Sequence, residues 1–152
     1  MIKRLTAYIK IEHLIYGAWA VALIATCSSW VLSEVFHLTP CILCWMQRIF
    51  MYPLAVIMPV GILRKDPDLP YYVLPLSLTG TVVAFYHSLL QWDVIPEAAA
   101  PCVNGVSCAT KQIEVLGFAT IPFASFMCFL AITIVMLVAL RRERRLARSR
   151  QA

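Results

Sequence analysis

Four long apolar stretches, each bounded by polar or charged residues, constrain this chain more than any other feature. They run from Leu14 to Val35, Leu43 to Leu63, Tyr71 to Leu90 and Phe118 to Leu140, at 20 to 23 residues each. An α-helix rises about 1.5 Å per residue, so each stretch is roughly 30 Å long, the thickness of a bilayer's hydrocarbon core. Four such helices and their links use up all 152 residues. With 61% hydrophobic and only 14% charged residues, no material remains for a water-soluble enzyme core, a second folded domain or a nucleotide-binding fold. The expected fold class is all-α integral membrane. It is a single domain over residues 1–152, a four-helix transmembrane bundle ending in a basic tail over 141–152. Pro53 and Pro59 would break a soluble helix. In a membrane bundle neighbouring helices can satisfy the freed carbonyls, so the second stretch is read as one kinked span.

Four crossings put both termini and the 64–70 loop on one side. That side carries Lys3, Arg4, Lys10, Arg64, Lys65 and six arginines between Arg141 and Arg150, 11 of the 13 basic residues. The other side has Arg48 and Lys111. The positive-inside rule then predicts cytoplasmic termini, a cytoplasmic middle loop and two outer loops. The tail RRERRLARSR directly follows a span, so it reads as a topology anchor beside anionic lipid and not as a nucleic-acid patch. The N-terminal basic residues followed by LIYGAWAVALIA and Thr26-Cys27 resemble a lipoprotein signal. Thr26 stands where Gly or Ala is expected, and cleavage would remove the first span, so an uncleaved helix is expected.

This topology sorts the six cysteines. Cys27 and Cys128 fall mid-membrane and read as packing residues. Cys41 and Cys44 open the second helix on the outer side, and Cys102 and Cys108 lie in the outer loop before the fourth span. Two close pairs thus face the compartment in which disulfides persist. Thr39 is a suitable N-cap and Pro40 a suitable first helical residue, so the helix is expected to begin there. A C-x-x-C at a helix start has its thiolate stabilised by free backbone N–H groups and by the helix dipole. Arg48, one turn beyond Cys44, is expected to favour a Cys44 thiolate and to hold a polar ligand's oxygen. His87, near the outer end of the third span at the depth of Arg48, is either a ligand or proton-handling group or a hydrated interfacial histidine.

Other readings of the pairs stay open on spacing alone. Cys41, Cys44, Cys102 and Cys108 could form a four-thiolate metal site, although C-x₅-C is wider than usual. Cys102 and Cys108 could form a structural clasp around an Asn104-Gly105 turn. Such a clasp leaves the C-x-x-C unexplained, because a pair one turn apart constrains little. Two outward dithiols suggest a thiol–disulfide relay. With no haem, iron–sulfur or nucleotide signature, a lipid-soluble acceptor such as a quinone, held near Cys44, Arg48 and His87, fits the gap.

At this point the motifs resemble a known family. Thr39-Pro40-Cys41-x-x-Cys44-Trp45-x-Gln47-Arg48-Ile49, then Met51-Tyr52-Pro53-Leu54, Tyr86-His87, the Pro101–Cys108 loop and Gly117-Phe118 with Ile121-Pro122-Phe123 are similar to the disulfide bond formation protein B family, DsbB. The closer similarity is to its short BdbC branch, typical of Gram-positive bacteria. The second outer loop is short, and Gln47 replaces an acidic residue common in longer members. The resemblance implies a multi-pass bacterial cell-membrane thiol oxidase with its redox cysteines outside. A reduced thioredoxin-like oxidase of the DsbA/BdbD type would attack a Cys102–Cys108 disulfide through Cys102. Electrons would pass to Cys41–Cys44, with Cys41 exchanging with the loop, and Cys44 would reduce a quinone bound with help from Arg48. The resemblance favours menaquinone, with ubiquinone the other family acceptor. Three rivals remain. One is an enzyme similar to vitamin K epoxide reductase, in which the C-x-x-C opens the last helix, whereas here the fourth helix has only Cys128; another, from the residues themselves, is a four-thiolate metal-binding protein. A scaffold subunit with stabilising disulfides is the third.

Overall fold

The computed structural model describes residues 2–96, 107–110, 114–115 and 119–151. Cys102, the Asn104-Gly105 turn and Gly117-Phe118 lie outside the described residues. Helix α1 covers Ile2–Glu34, α2 Ile42–Arg64, α3 Leu69–Gln91 and α4 Ile121–Gln151. Each contains a segment long and apolar enough to cross a membrane. Before α4, a two-residue antiparallel pair, β1 (Glu114–Val115) and β2 (Ala119–Thr120), aligns Glu114 with Thr120 and Val115 with Ala119.

The outer helices run beyond their apolar stretches. α1 begins at Ile2, and α4 continues through the tail to Gln151, whose Arg, Leu, Ala and Glu residues are good helix formers. α4 starts at Ile121, three residues later than the apolar stretch, because Ala119 and Thr120 are engaged with β1. Pro122 then falls in the first turn, where its missing N–H costs nothing. Lys65 closes α2 in the left-handed region (φ 51°), its N–H reaching the carbonyls of Gly61 and Ile62. Asp66 accepts from the Asp68 N–H and the Tyr72 hydroxyl, which sets the turn into α3.

The helices form a ring in chain order. α1 packs on α2 and α4, α3 packs on α2 and most extensively on α4, and α2 and α4 touch only slightly across the centre. The core between them holds Leu54, Met58, Val73, Ala84, Phe129, Ile132 and Met136, with Ala18 and Ala22 from α1. Ile24, Trp30, Val56, Leu63 and Val82 point outward and are exposed, as expected where lipid is the solvent. At Gly80 a Cβ would overlap the Phe129 ring, so glycine permits the close approach of α3 and α4.

Pro59 explains a contact between helices. It cannot donate to the carbonyl four residues earlier, that of Ala55. Trp19 on α1 donates its Nε1–H to that carbonyl at 3.1 Å. The proline thus survives inside a spanning helix because a neighbouring helix supplies the missing donor.

Candidate redox site

The C-x-x-C begins α2, but the cap is not the expected one. Cys41 itself is the N-cap, with extended backbone (φ −72°, ψ 173°), and its Sγ accepts from the Cys44 N–H at 3.4 Å. Thr39 and Pro40 precede the helix. The sulfur meets one of the free N–H groups of the first turn, so the start moves two residues downstream. Cys41 and Cys44 are free thiols with their sulfurs 3.0 Å apart. Cys41 is buried and Cys44 half-buried.

His87, on α3, is fully buried beside this pair. Its Nδ1 lies 2.9 Å from Gln47 Nε2. An amide nitrogen can only donate, so Nδ1 accepts and the ring proton sits on Nε2. That N–H faces the Cys108 carbonyl at 3.1 Å and Cys41 Sγ at 3.7 Å. Cys41 sulfur therefore receives the Cys44 thiol, the Cys44 backbone N–H and the His87 ring. These contacts, the Cys44 thiol foremost and His87 after it, hold the Cys41 thiol well below its ordinary value despite burial.

Arg48 lies beside Cys44 on the same cavity wall, as expected, but the groups that most stabilise a thiolate gather on Cys41. Arg48 also reaches across to α1, donating to the Ser29 carbonyl at 3.0 Å and to Ser33 Oγ, and lies 5.2 Å over the Trp45 ring. A residue's position on its helix indicates the face it shares. A long flexible side chain then follows acceptors on a neighbouring helix.

Cys108 is buried and disulfide-bonded, so it contributes no thiolate to a four-thiolate metal site. It packs with Cys41, Leu43 and Leu90, and Gln91 Nε2 donates to the Thr110 carbonyl at 3.2 Å, tying this segment to α3. Cys41, Cys44, Gln91 and Cys108 border a small cavity of about 20 Å³.

A larger cavity of about 380 Å³ opens on the other side of Cys44. Val21, Ala25, Leu32 and Met51 are among its apolar walls, and Cys44, Gln47, Arg48 and Tyr52 form a polar flank. The Tyr52 hydroxyl is buried and has no hydrogen-bond partner among the described residues. Cys128 borders the same cavity, and Cys27 is exposed on α1. His87 does not line this cavity; Gln47 connects it to the wall. The structure thus brings Cys41, Cys44, Cys108 and His87 together and sets Arg48 beside Cys44 at the cavity. Gln47 and Tyr52 enter the sequence reading only as members of the family motif, and Ser29 and Ser33 do not enter it. Tyr52 had a signal, since Cys44, Arg48 and Tyr52 recur every four residues on one helical face. The serines had none, because nothing in their spacing names a partner on α2.

The family model described as "Disulfide bond formation protein DsbB" matches residues 12–139. The chain belongs to the DsbB family. It is 40% identical over 134 residues to "Probable disulfide formation protein C" of Halalkalibacterium halodurans, covering 88% of this chain and 98% of that one. It is 40% identical over 122 residues to "Disulfide bond formation protein C" of Bacillus subtilis, covering 80% and 88%. To "Probable disulfide formation protein" of Metapseudomonas resinovorans it is 37% identical over 131 residues, covering 86% and 91%. No solved structure matches. As a DsbB-family protein with four helices able to span a membrane, it is a multi-pass bacterial membrane oxidoreductase of disulfide bond formation. Its C-x-x-C opens α2 and not the last helix, unlike the vitamin K epoxide reductase pattern.

Proposed function

We propose that this protein is a quinone-dependent thiol oxidase. It reoxidises an extracytoplasmic thioredoxin-like partner of the DsbA/BdbD type and delivers the electrons to a membrane quinone, menaquinone by the resemblance to the short branch. The observation that carries the reading is the cavity of about 380 Å³ whose polar flank contains Cys44. That volume lies within the range of small-molecule sites. Its apolar walls suit a hydrophobic ring and tail, and the Arg48 guanidinium and the Tyr52 hydroxyl, which has no partner among the described residues, offer donors to a carbonyl oxygen. A bound quinone would accept two electrons and two protons.

The chain's own residues supply the rest. Both termini are cytoplasmic in this proposal, following the charge distribution, so the cysteine end of the bundle faces outward. A partner thiolate attacks a Cys102–Cys108 disulfide at Cys102. The partner's second thiol then resolves the mixed disulfide, and the loop pair is left as a dithiol. The loop dithiol next reduces a Cys41–Cys44 disulfide through Cys41, regenerating its own bond. Cys41 is held as a thiolate by Cys44 and His87, so it is the nucleophile of the pair. Cys44 borders the cavity, and electrons leave the protein there as the Cys41–Cys44 bond closes. Arg48, fixed to α1, and Gln47 orient the acceptor.

The test is anaerobic, with purified protein in detergent, a reduced thioredoxin-like partner and a quinone. Quinone loss should equal partner disulfide formed, and Cys44→Ser should abolish it. Partner thiols that survive beside an intact quinone would overturn the proposal.

A further inference from the structure

The contacts that hold Cys41 as a thiolate in the proposed relay also give the dithiol and His87 the geometry of a metal donor set. Both sulfurs and a ring nitrogen of His87 lie within 4.8 Å of one another. The sulfurs are 3.0 Å apart, and Cys41 Sγ is 3.7 Å from His87 Nε2. Two thiolates and an imidazole are a zinc-type donor set. Tetrahedral zinc, with bonds of about 2.3 Å to sulfur and 2.0–2.1 Å to nitrogen, sets two sulfurs about 3.8 Å apart and sulfur from nitrogen by about 3.6 Å. The Cys41 sulfur–nitrogen separation already fits, and the Cys44 sulfur lies within 4.8 Å of the ring nitrogen. The sulfur pair needs to open by about 0.8 Å, a small rotation of the half-buried Cys44 side chain.

A second observation points to the same place. The cavity of about 20 Å³ bordered by Cys41, Cys44 and Gln91 has room for about one water-sized occupant. Gln91 Oε1 is buried without a hydrogen-bond partner among the described residues. An oxygen donor from this side would complete a four-coordinate set.

We propose that the reduced Cys41–Cys44 pair and His87 form a redox-gated site for a thiophilic divalent cation of the zinc class, completed from the small cavity beside Gln91. Binding releases the Cys44 thiol proton and moves no electrons. The His87 proton shifts from Nε2 to Nδ1, and the Gln47 amide turns so that its oxygen accepts it. Closing the Cys41–Cys44 disulfide removes both thiolates and expels the ion. Metal binding and electron release are therefore mutually exclusive, and the ion arrests the protein in its reduced stage. The inference rests on the dithiol's geometry and not on the acceptor being a quinone.

The test uses full-length protein in detergent under anaerobic conditions, with Cys102→Ser and Cys108→Ser removing the loop thiols. After reduction and removal of reductant, Cd²⁺ is titrated by its sulfur-to-metal absorbance and then displaced by Zn²⁺. One ion per chain is expected, lost with Cys41→Ser or Cys44→Ser and after oxidation of the pair. His87→Phe should weaken binding by roughly tenfold or more. Gln47→Glu, whose carboxylate accepts from Nδ1–H, should tighten it, and Gln47→Leu should weaken it by about 10- to 100-fold. The Gln47 variants keep the test decisive if His87→Phe fails to fold. An absent saturable band with the thiols intact, or an affinity indifferent to His87 and Gln47, would overturn the site. Either result leaves metal-free thiol oxidation to be judged by its own assay.

Discussion

His87 Nε2 lies 3.7 Å from Cys41 Sγ, which places a buried imidazole N–H beside the sulfur that caps α2. The Cys44 sulfur lies 3.0 Å from the same atom. In the proposed relay the C-x-x-C therefore divides its labour: Cys41, packed against Cys108, is the activated thiol, and Cys44 borders the large cavity.

That division sets a pH dependence. The Cys41 thiol is depressed, first by the Cys44 thiol and then by His87, so its thiolate persists as pH falls well below the usual thiol range. In a Cys102→Ser/Cys108→Ser background, alkylation of the reduced protein should stay fast into the acid range. Cys44→Ala should move the midpoint upward by more than His87→Phe does. The reduced fold binds fewer protons at Cys41 than the unfolded chain does between the folded and unfolded thiol values. Its stability should therefore rise with pH across that window and be lost as pH drops through the folded value. A midpoint at the ordinary thiol value would contradict this assignment.

Arg48 is anchored to α1 through Ser29 and Ser33, with its guanidinium on the cavity wall. Arg48→Ala or Arg48→His should slow quinone reduction by about 10- to 100-fold, the loss of a hydrogen bond from a charged donor. Disulfide exchange with the thioredoxin-like partner should stay largely intact. Rapid-mixing assays of the two half-reactions separate the effects, and equal loss of both would remove Arg48 from the quinone site.

Tyr52 has a buried hydroxyl without a partner among the described residues, a feature that costs about 1–3 kcal/mol. Tyr52→Phe should raise the Tm in detergent and also raise the KM for quinone severalfold. A purely packing role would leave KM unchanged.

Trp19 substitutes for the donor that Pro59 lacks. Trp19→Phe should destabilise the bundle by about 1–3 kcal/mol through the stranded Ala55 carbonyl. In a Pro59→Ala background the restored N–H should reduce that loss. A thermal-unfolding double-mutant cycle with no coupling between the two positions would exclude the exchange of donors.

Much of this architecture was legible in the chain because it follows from local chemistry. Twenty-residue apolar stretches must become helices in lipid, since every backbone polar group has to be satisfied within its own segment. The C-x-x-C was expected at a helix start from its flanking residues, and that holds to within two residues; which residue caps the helix did not follow. Cys41 displaced Thr39 because a sulfur already positioned by α3 and by Cys44 met the free N–H group. Local propensity cannot see that competition.

By itself, the sequence determined four spanning helices, their charge asymmetry, the cysteine spacing and a resemblance to the DsbB family. Each depends on residues close together along the chain, or on composition alone. Only the tertiary structure decided that Arg48 turns to Ser29 and Ser33, that Gln47 orients His87 toward Cys41, and that Trp19 rescues the carbonyl freed by Pro59. The partners in those contacts are separated by 15 to 40 residues. They meet because the helices pack as a ring, and a helix's own periodicity states which face a residue occupies but not which neighbour will be there.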